Sequence, residues 1–106
     1  MKYEMEFMVP KFQTWNGTVR KGRKWYDRLN VGDEVDLVDR YGCWWATGKV
    51  VMVELKFFGD ITLQDLEENH DRNARSPEGL REALQGAYDE WFAYEDIVSV
   101  ILLEVK

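Results

Sequence analysis

The sequence predicts an α+β fold: a mostly antiparallel, strongly curved β-sheet or partly closed β-barrel with two short peripheral helices. Its 106 residues, 45% of them hydrophobic, have the size and composition of one packed domain. Segments with the two-residue alternation of strands outnumber helical segments. No linker, internal repeat or low-complexity tract interrupts the chain, so residues 1–106 are expected to form a single domain.

Five segments have the patterns of β-strands. Residues 3–9 alternate apolar and acidic side chains and stop before Pro10, which favours a strand with one solvated face. Residues 97–105 are almost wholly apolar, which is typical of a strand covered on both faces. Short turns favour antiparallel pairing, and a sheet that curls on itself hides its edges and leaves a mouth where small ligands bind. The other three segments are 17–20, 34–39 and 47–58.

Two short helices are predicted between the last two strands. Thr62 followed by Asp65 resembles a capping arrangement at a helix start. Ser76 and Pro77 form a second start signal, because serine accepts amide hydrogen bonds and proline suits the first helical position. The apolar stripe of this second helix is expected to fade near Tyr88.

The sequence favours a cytoplasmic protein with no membrane anchor, no metal and no cofactor. Its first nine residues include alternating acids and lack the apolar core of a secretory signal. No apolar run approaches the roughly 20 residues that a membrane helix needs. Cys43 is the single cysteine and His70 the single histidine, so these residues can supply neither an internal disulfide nor a zinc site.

Charge is unevenly distributed along the chain. The net charge is -6, yet residues 9–28 hold six basic residues against one acid, Asp27, for a local charge of +5. The remainder therefore carries -11. This asymmetry is compatible with a basic mouth on an acidic body, and equally with a solvated charged face, because short charge runs are common.

Tryptophans are interleaved with this basic stretch, which is expected to form a loop over residues 21–28. Cations track phosphates while aromatic rings stack on bases, so the mixture suits single-stranded nucleic acid or a nucleotide. The alternative is that the rings pack on the barrel while the cations stay in water. The candidate binding residues are Trp15, Arg20, Lys21, Arg23, Lys24 and Trp25.

No hydrolase or phosphate-loop motif stands out in the sequence. Ser76 and Ser99 lie at a helix start and in an apolar strand, so neither resembles an activated nucleophile. His70, beside Asp71, is conceivable as a general base, although a lone loop histidine is more often structural.

The order of these features resembles that of an ASCH domain, a branch of the PUA-like superfamily. The resemblance covers nearly the whole chain and implies a PUA-like β-barrel with peripheral helices. It also implies a cleft beside the barrel mouth that is tied to RNA or to modified nucleosides. The matching segments are 18–25, 31–35, 47–51, 66–71, 80–88 and 98–101.

The hallmark of that family is a Gly-x-Lys-x-x-Thr-x-Arg run before a Gly-Asp turn. Thr18 and Arg20 match its Thr and Arg, while Trp15 stands at its Lys and Gln13 at its Gly. We prefer this register because it keeps the spacing to the turn at Gly32. The alternative register places Gly22 and Lys24 on the Gly and Lys of the motif. Asp27 then stands at its Thr and Leu29 at its Arg.

Amidohydrolases of the family, which deacetylate acetylated cytidine, use a Lys, a Thr and a Glu. Thr18 remains as the candidate catalytic residue and as a polar contact in the cleft, whereas the Lys is replaced and the Glu falls near Ala74. Glu68 or Asp71 could replace the catalytic Glu of the family only if the chain follows a different local path here. The sequence therefore leaves enzymatic activity undecided.

The leading prediction is a binding module for RNA or for a small nucleoside-like ligand. The first alternative is a hydrolase that acts on acetylated cytidine or as a weak ribonuclease. The second is a protein-interaction module that uses exposed tryptophans and the acidic body. The distance from the Thr18 hydroxyl to the nearest lysine or carboxylate separates binding from hydrolysis, since general-base activation needs about 3.5 Å or less.

Overall fold

The computed structural model describes residues 3–105, and the expected domain ends, Met1 and Lys106, lie outside them. Within these residues there are five strands, three α-helices and two single 3-10 turns at Phe58–Asp60 and Arg72–Ala74. The strands are β1 (Tyr3–Glu6), β2 (Trp15–Lys21), β3 (Glu34–Val38), β4 (Trp44–Phe57) and β5 (Ile97–Val105). The helices are α1 (Lys24–Arg28), α2 (Leu63–Leu66) and α3 (Pro77–Tyr88).

The strands form one curved sheet in the order β1-β3-β4-β5-β2. β1 pairs parallel with β3, and the other three pairs in the described residues are antiparallel. The predicted α+β class is confirmed, but the sheet is not closed, so the expected barrel is corrected to a curved open sheet. The edges β1 and β2 do not pair with each other, and at Gly17 the outer side of β2 instead bridges to Asn69 in a loop.

β5 lies inside the sheet, between β4 and β2, and is buried on both faces as its apolar run predicts. Val98 and Val100 belong to one hydrophobic cluster, and Ile101 and Leu103 belong to the other. Successive side chains of a strand point to opposite faces, so the sheet separates two cores.

The first cluster joins the sheet to the helices. Leu66 of α2 packs with Leu80 and Leu84 of α3 and with Val19 of β2. Each fully buried side chain of this kind contributes roughly 1.5–3 kcal/mol relative to exposure. This packing holds α3 beside β2, where the candidate site lies.

The second cluster occupies the other face of the sheet. Met5 of β1 and Phe7, just after it, pack with residues of β3, β4 and β5 and with Leu29, which follows α1. The segment after β1 is thereby fixed against the sheet, although β1 itself is an edge strand.

Both predicted helix starts are confirmed. Thr62 Oγ1 accepts from the N–H of Asp65 at 3.2 Å, and the Asp65 carboxylate accepts from the N–H of Thr62 at 2.9 Å. Ser76 Oγ accepts from the N–H of Gly79 at 3.1 Å. Helix α3, the second of the two predicted helices, ends at Tyr88, where its apolar stripe was expected to fade.

Residues 21–28 were expected to form a loop, but they contain helix α1, which the sequence did not predict. An ion pair between residues four positions apart stabilises this helix: Arg23 Nε lies 3.0 Å from Asp27 Oδ2. A five-residue helix is too short to show a repeating apolar stripe, which explains why periodicity did not reveal it. The expected number of two helices is therefore corrected to three.

None of the helices in the described part of the chain has the length and apolarity needed to span a membrane. Among residues 3–105, no three His, Cys, Asp or Glu side chains are grouped so that they could hold a metal ion. Cys43 is exposed as a free thiol.

Candidate ligand-binding site

A cavity of about 230 Å³ lies where the sheet stays open. Residues 6–9, which leave β1, and residues 18–20 of β2 form two of its walls. Residues 69–71 and one face of α3 form the others. The cavity thus occupies the gap between the two sheet edges, which pairing would have filled in a closed barrel.

Gly17 attaches the loop to the outer edge of β2. Its N–H donates to the carbonyl of Glu68 at 2.6 Å, and its own carbonyl accepts from the N–H of His70 at 3.0 Å. A Cβ at this position would stand 3.3 Å from the backbone nitrogen of Asn69, so glycine allows this close approach. The loop thereby places Asn69 and His70 on the cavity wall.

Hydrogen-bond alternation sets the direction of each backbone group in β2. The N–H of Gly22 donates to the carbonyl of Ile97 at 2.8 Å, next to the antiparallel pairing with β5. Because such bonds recur at every second residue, the N–H and C=O groups of Gly17, Val19 and Lys21 point away from β5.

Two of these three outward positions are occupied. Gly17 bonds to the loop, and the N–H of Lys21 donates to the Tyr88 hydroxyl of α3 at 3.2 Å. Val19 stands between them, is 7% exposed and lines the cavity. No hydrogen bond to its N–H or C=O is found within residues 3–105. A donor and an acceptor therefore face the cavity at one buried residue.

Arg20 supplies positive charge to the cavity. Its guanidinium lies 4.5 Å from the centre of the Phe7 ring, and its Nε donates to Thr18 Oγ1 at 3.1 Å. Burial lowers the pKa of Arg20 to about 10, against smaller opposing effects of Tyr88 and Glu6. The group stays protonated at neutral pH, and no described residue forms an ion pair with it. Its two terminal nitrogens are available for a ligand.

The Thr18 hydroxyl is buried on this wall, with 4% of the residue exposed. Its hydrogen-bond partner is the Arg20 cation. Among the described residues, no lysine or carboxylate forms a hydrogen bond with this hydroxyl within 3.5 Å. A guanidinium cannot accept its proton, so the arrangement positions a polar group without an activating base.

His70 separates the cavity from the next groove along the surface. Its Nδ1 lies 3.2 Å from the Gly17 carbonyl, which fits a neutral ring that donates through Nδ1. Burial lowers the pKa of His70, and the positive charges of Arg20 and Arg75 add to the effect, while the Gly17 carbonyl and Asp71 oppose it. The imidazole is therefore neutral at pH 7.

Two of the seven sequence-predicted binding residues, Thr18 and Arg20, line this cavity. Lys21, the next residue along β2, pairs with Glu90 at 2.5 Å. Arg23 pairs with Asp27 on exposed α1. These two cations are thus neutralised by acids of the same chain.

The other three predicted residues also lie outside the cavity wall. Lys24 begins α1 and is exposed. Trp25 packs edge-on against Tyr3, with ring centres 6.2 Å apart. Trp15 starts β2 opposite Glu104 and is 42% exposed. The packing interpretation of Trp25 is realised here, and ligand roles for these three residues stay predictions.

The residues that sequence reasoning missed are Val19, Asn69 and Tyr88. Val19 contributes its backbone, and a backbone group carries no residue-type signal. Asn69, 3% exposed, turns its side-chain oxygen to the N–H of Asp71 at 3.0 Å. Its burial is visible only in the structure, because a polar residue in a polar segment of the sequence is expected to be exposed.

No family model matches the sequence, and no curated protein is similar to it in sequence. Several solved structures are similar in fold. The ASCH domain from Lactobacillus crispatus JV V101 aligns with a TM-score of 0.71 and 10% identity, over 98% of this chain and 79% of that one. Hypothetical protein PH0355 aligns over 100% of both chains, with a TM-score of 0.65 and 19% identity.

A third structure, protein EF3133 from Enterococcus faecalis V583, is described under family DUF984. It aligns with a TM-score of 0.61 and 11% identity, over 86% of this chain and 60% of that one. Identities of this size carry the fold alone. The fold implied by the sequence resemblance is thereby confirmed: this chain has an ASCH-like fold.

Proposed function

We propose that this protein binds a nucleoside-like ligand, free or within RNA, and takes its base into the cavity beside β2. The observation that carries the proposal is the open N–H and C=O pair of Val19 on a buried wall. Buried backbone groups are almost always hydrogen-bonded, so an unpaired couple in a cavity favours a ligand that completes it.

The geometry around Val19 favours a small ring over a peptide strand. An added strand would need several successive outward groups of β2, but Gly17 and Lys21 are already bonded. A nucleobase offers a donor and an acceptor on its Watson–Crick edge, and proteins commonly read an extruded base by that edge within apolar walls. The apolar part of the wall includes Ala83, Leu84 and Ala87 of α3.

Arg20 adds a charged fork beside this pair. A guanidinium recognises carbonyl or phosphate oxygens with its terminal nitrogens, and Thr18 holds it in orientation. Arg20 would attract an electron-rich ligand to this cavity, although the chain has a net charge of -6 and the cavity wall also carries Glu6, Asp71 and Glu82.

Binding is favoured over hydrolysis because the Thr18 hydroxyl bonds to a cation and to no base within the described residues. Incubation with acetylated cytidine and short RNA, followed by mass spectrometry, is expected to give no product. Product that is abolished by Thr18→Val would instead support the hydrolase.

Exposed aromatic side chains at the turn between β3 and β4 are the basis for the protein-interaction alternative. The Trp44 indole donates to Thr47 at 3.1 Å, and the Trp45 indole donates to Asp39 at 2.9 Å. Both rings are therefore held against their own hairpin, which makes this surface the weaker candidate.

The proposal is tested by titrating the ¹⁵N-labelled chain with the four ribonucleosides, N4-acetylcytidine and single-stranded pentanucleotides. The amide resonance of Val19 is expected to shift most, because its N–H gains a partner. Ala83→Leu, which fills the cavity, should abolish the shift. Gln85→Leu, on the same helix but off the cavity wall, should leave it intact. Ligands that leave the Val19 and Arg20 resonances unchanged would refute the proposal.

A further inference from the structure

A groove of about 470 Å³ adjoins the cavity and is bordered by basic side chains. Cavity and groove share Val9, His70 and Asp71 on their walls, so they meet along a common rim. Lys11, Arg72 and Arg75 line the groove and do not line the cavity. Lys11 lies 61 positions before Arg72 in the sequence, and Arg75 follows Arg72 by three positions. Folding therefore brings Lys11 to the groove that the two arginines line.

We infer that this groove binds the phosphate attached to the nucleoside whose base occupies the cavity, which makes the ligand a nucleotide or an RNA strand. The inference rests on the proposed function, because it takes the position of the base from the cavity. It adds a second site, the chemical class of its ligand group and the residues that would hold it.

Two of the groove cations have no acidic partner. Lys11 and Arg72 are exposed, and neither forms an ion pair within the described residues. Lys21 and Arg23, by contrast, are each paired with an acid. An incoming phosphate therefore finds two cations in the groove that form no ion pair within residues 3–105, whereas the acidic remainder of the chain repels it.

Arg75 is fixed in place between the groove and the cavity. Its Nε donates to the carbonyl of Asn69 at 2.9 Å, which leaves its terminal nitrogens for a ligand. His70 and Asp71 lie on the rim that the two concavities share, while Arg20 lines the cavity and Arg75 lines the groove. Each concavity therefore has its own arginine.

Among the residues that the structure describes, the groove wall carries one carboxylate, that of Asp71, which is hydrogen-bonded within its own turn. Asp71 Oδ1 accepts from the N–H of Asn73 at 3.0 Å and caps the short turn that carries Arg72. Arginine offers a planar fork and lysine a mobile point charge, a combination that suits tetrahedral phosphate oxygens.

The experiment compares each ribonucleoside with its 5′- and 3′-monophosphate, and with a pentanucleotide, by calorimetry on the full chain at low salt. At least one monophosphate is expected to bind about tenfold more tightly than its nucleoside, and the gain should shrink as salt rises. A monophosphate that reaches the affinity of the pentanucleotide indicates a free nucleotide as the ligand. A further gain with the pentanucleotide indicates an RNA strand, and both results support the groove.

Variants locate the phosphate. The double variant Lys11→Gln/Arg72→Gln should remove most of the gain, because only Arg75 remains among the groove cations, while nucleoside affinity should stay unchanged. The control Arg40→Gln/Lys49→Gln removes the same charge from exposed positions outside both concavities and should keep the gain.

The failures are distinguishable. If nucleosides bind and the phosphate adds nothing, or if both double variants lose the gain equally, the groove inference is overturned and the cavity proposal stands. If neither nucleosides, nucleotides nor the pentanucleotide bind, the proposed function itself is overturned.

Discussion

Arg20 donates its Nε hydrogen to the hydroxyl oxygen of Thr18 at 3.1 Å, two residues earlier on the same strand. Residues two apart on a strand share a face, so a hydroxyl and a guanidinium meet without any help from a loop. The Phe7 ring covers the cation from the opposite edge of the sheet. This pair is the part of the hallmark motif that the sequence retains, and it lies on the cavity wall.

Replacing Thr18 with valine should lower the free energy of unfolding by about 1–2 kcal/mol. The change keeps the buried shape but leaves the charged Nε of Arg20 without its acceptor. Urea denaturation measures the loss. Thr18→Ser restores the hydroxyl and should recover most of it, whereas equal stability of the valine variant and the unmodified chain would contradict the assignment.

The stability of the fold should fall as the pH drops below about 6.5, through His70. Burial lowers the pKa of this imidazole below its ordinary value of 6.5, so the unfolded chain takes up a proton before the folded one does. The contribution is fully present above pH 6.5 and is lost as the pH falls towards the folded pKa.

Because His70 is the only histidine, its ring resonances report this directly in an NMR titration. A midpoint below 6.5 is expected, and one at or above 6.5 would count against the buried neutral ring. His70→Gln should flatten the dependence of stability on pH between pH 7 and 5.

Two glycines of α3 should respond oppositely to alanine. A Cβ at Gly79 would stand 1.7 Å from the carbonyl oxygen of Asn73, and the backbone would have to move to relieve this clash. Gly86 has nothing within 4 Å of such an atom. Gly86→Ala should therefore raise the free energy of unfolding by roughly 0.5–1 kcal/mol, the usual helix gain. Gly79→Ala should lower it, and thermal denaturation of the pair decides whether the turn and α3 pack this closely.

Asp65 should contribute more to stability than a typical surface carboxylate. It caps α2 through Thr62 and accepts from Lys56 Nζ at 2.8 Å. Although burial raises its pKa, the bonds from Lys56 and Thr62 outweigh that effect and hold the pKa below 3.8. Asp65→Ala is expected to cost about 1–2 kcal/mol at pH 7, mainly as a lost cap.

The pH dependence of this loss gives a second measurement. The stabilisation by Asp65 is present above pH 3.8 and disappears as the pH falls through the lower folded pKa, so the two chains should converge in acid. Asp60→Ala, at an exposed carboxylate nearby in sequence, should change little at any pH. A constant difference down to about pH 2 would assign the loss to packing.

Local features were readable from the sequence because they depend on neighbours in the chain. The cap at Thr62, the helix start at Ser76 and the doubly buried β5 all follow from residues within a few positions of one another. Helix α1 was missed because its stabilising pair, Arg23 with Asp27, leaves no apolar period. The sequence overestimated closure of the barrel, because it does not show which distant segment contacts the edge of β2.

The sequence by itself determined the α+β class, most strands, two of the helices and the Thr18–Arg20 element of the site. Only the tertiary structure decided that the loop at Asn69 would bond the edge at Gly17 and leave Val19 open between two bonded residues. It also decided that Arg72 and Lys11 would line the same groove. The physical reason is range: alternation and capping act over a few residues, whereas a cavity forms where segments more than fifty residues apart meet.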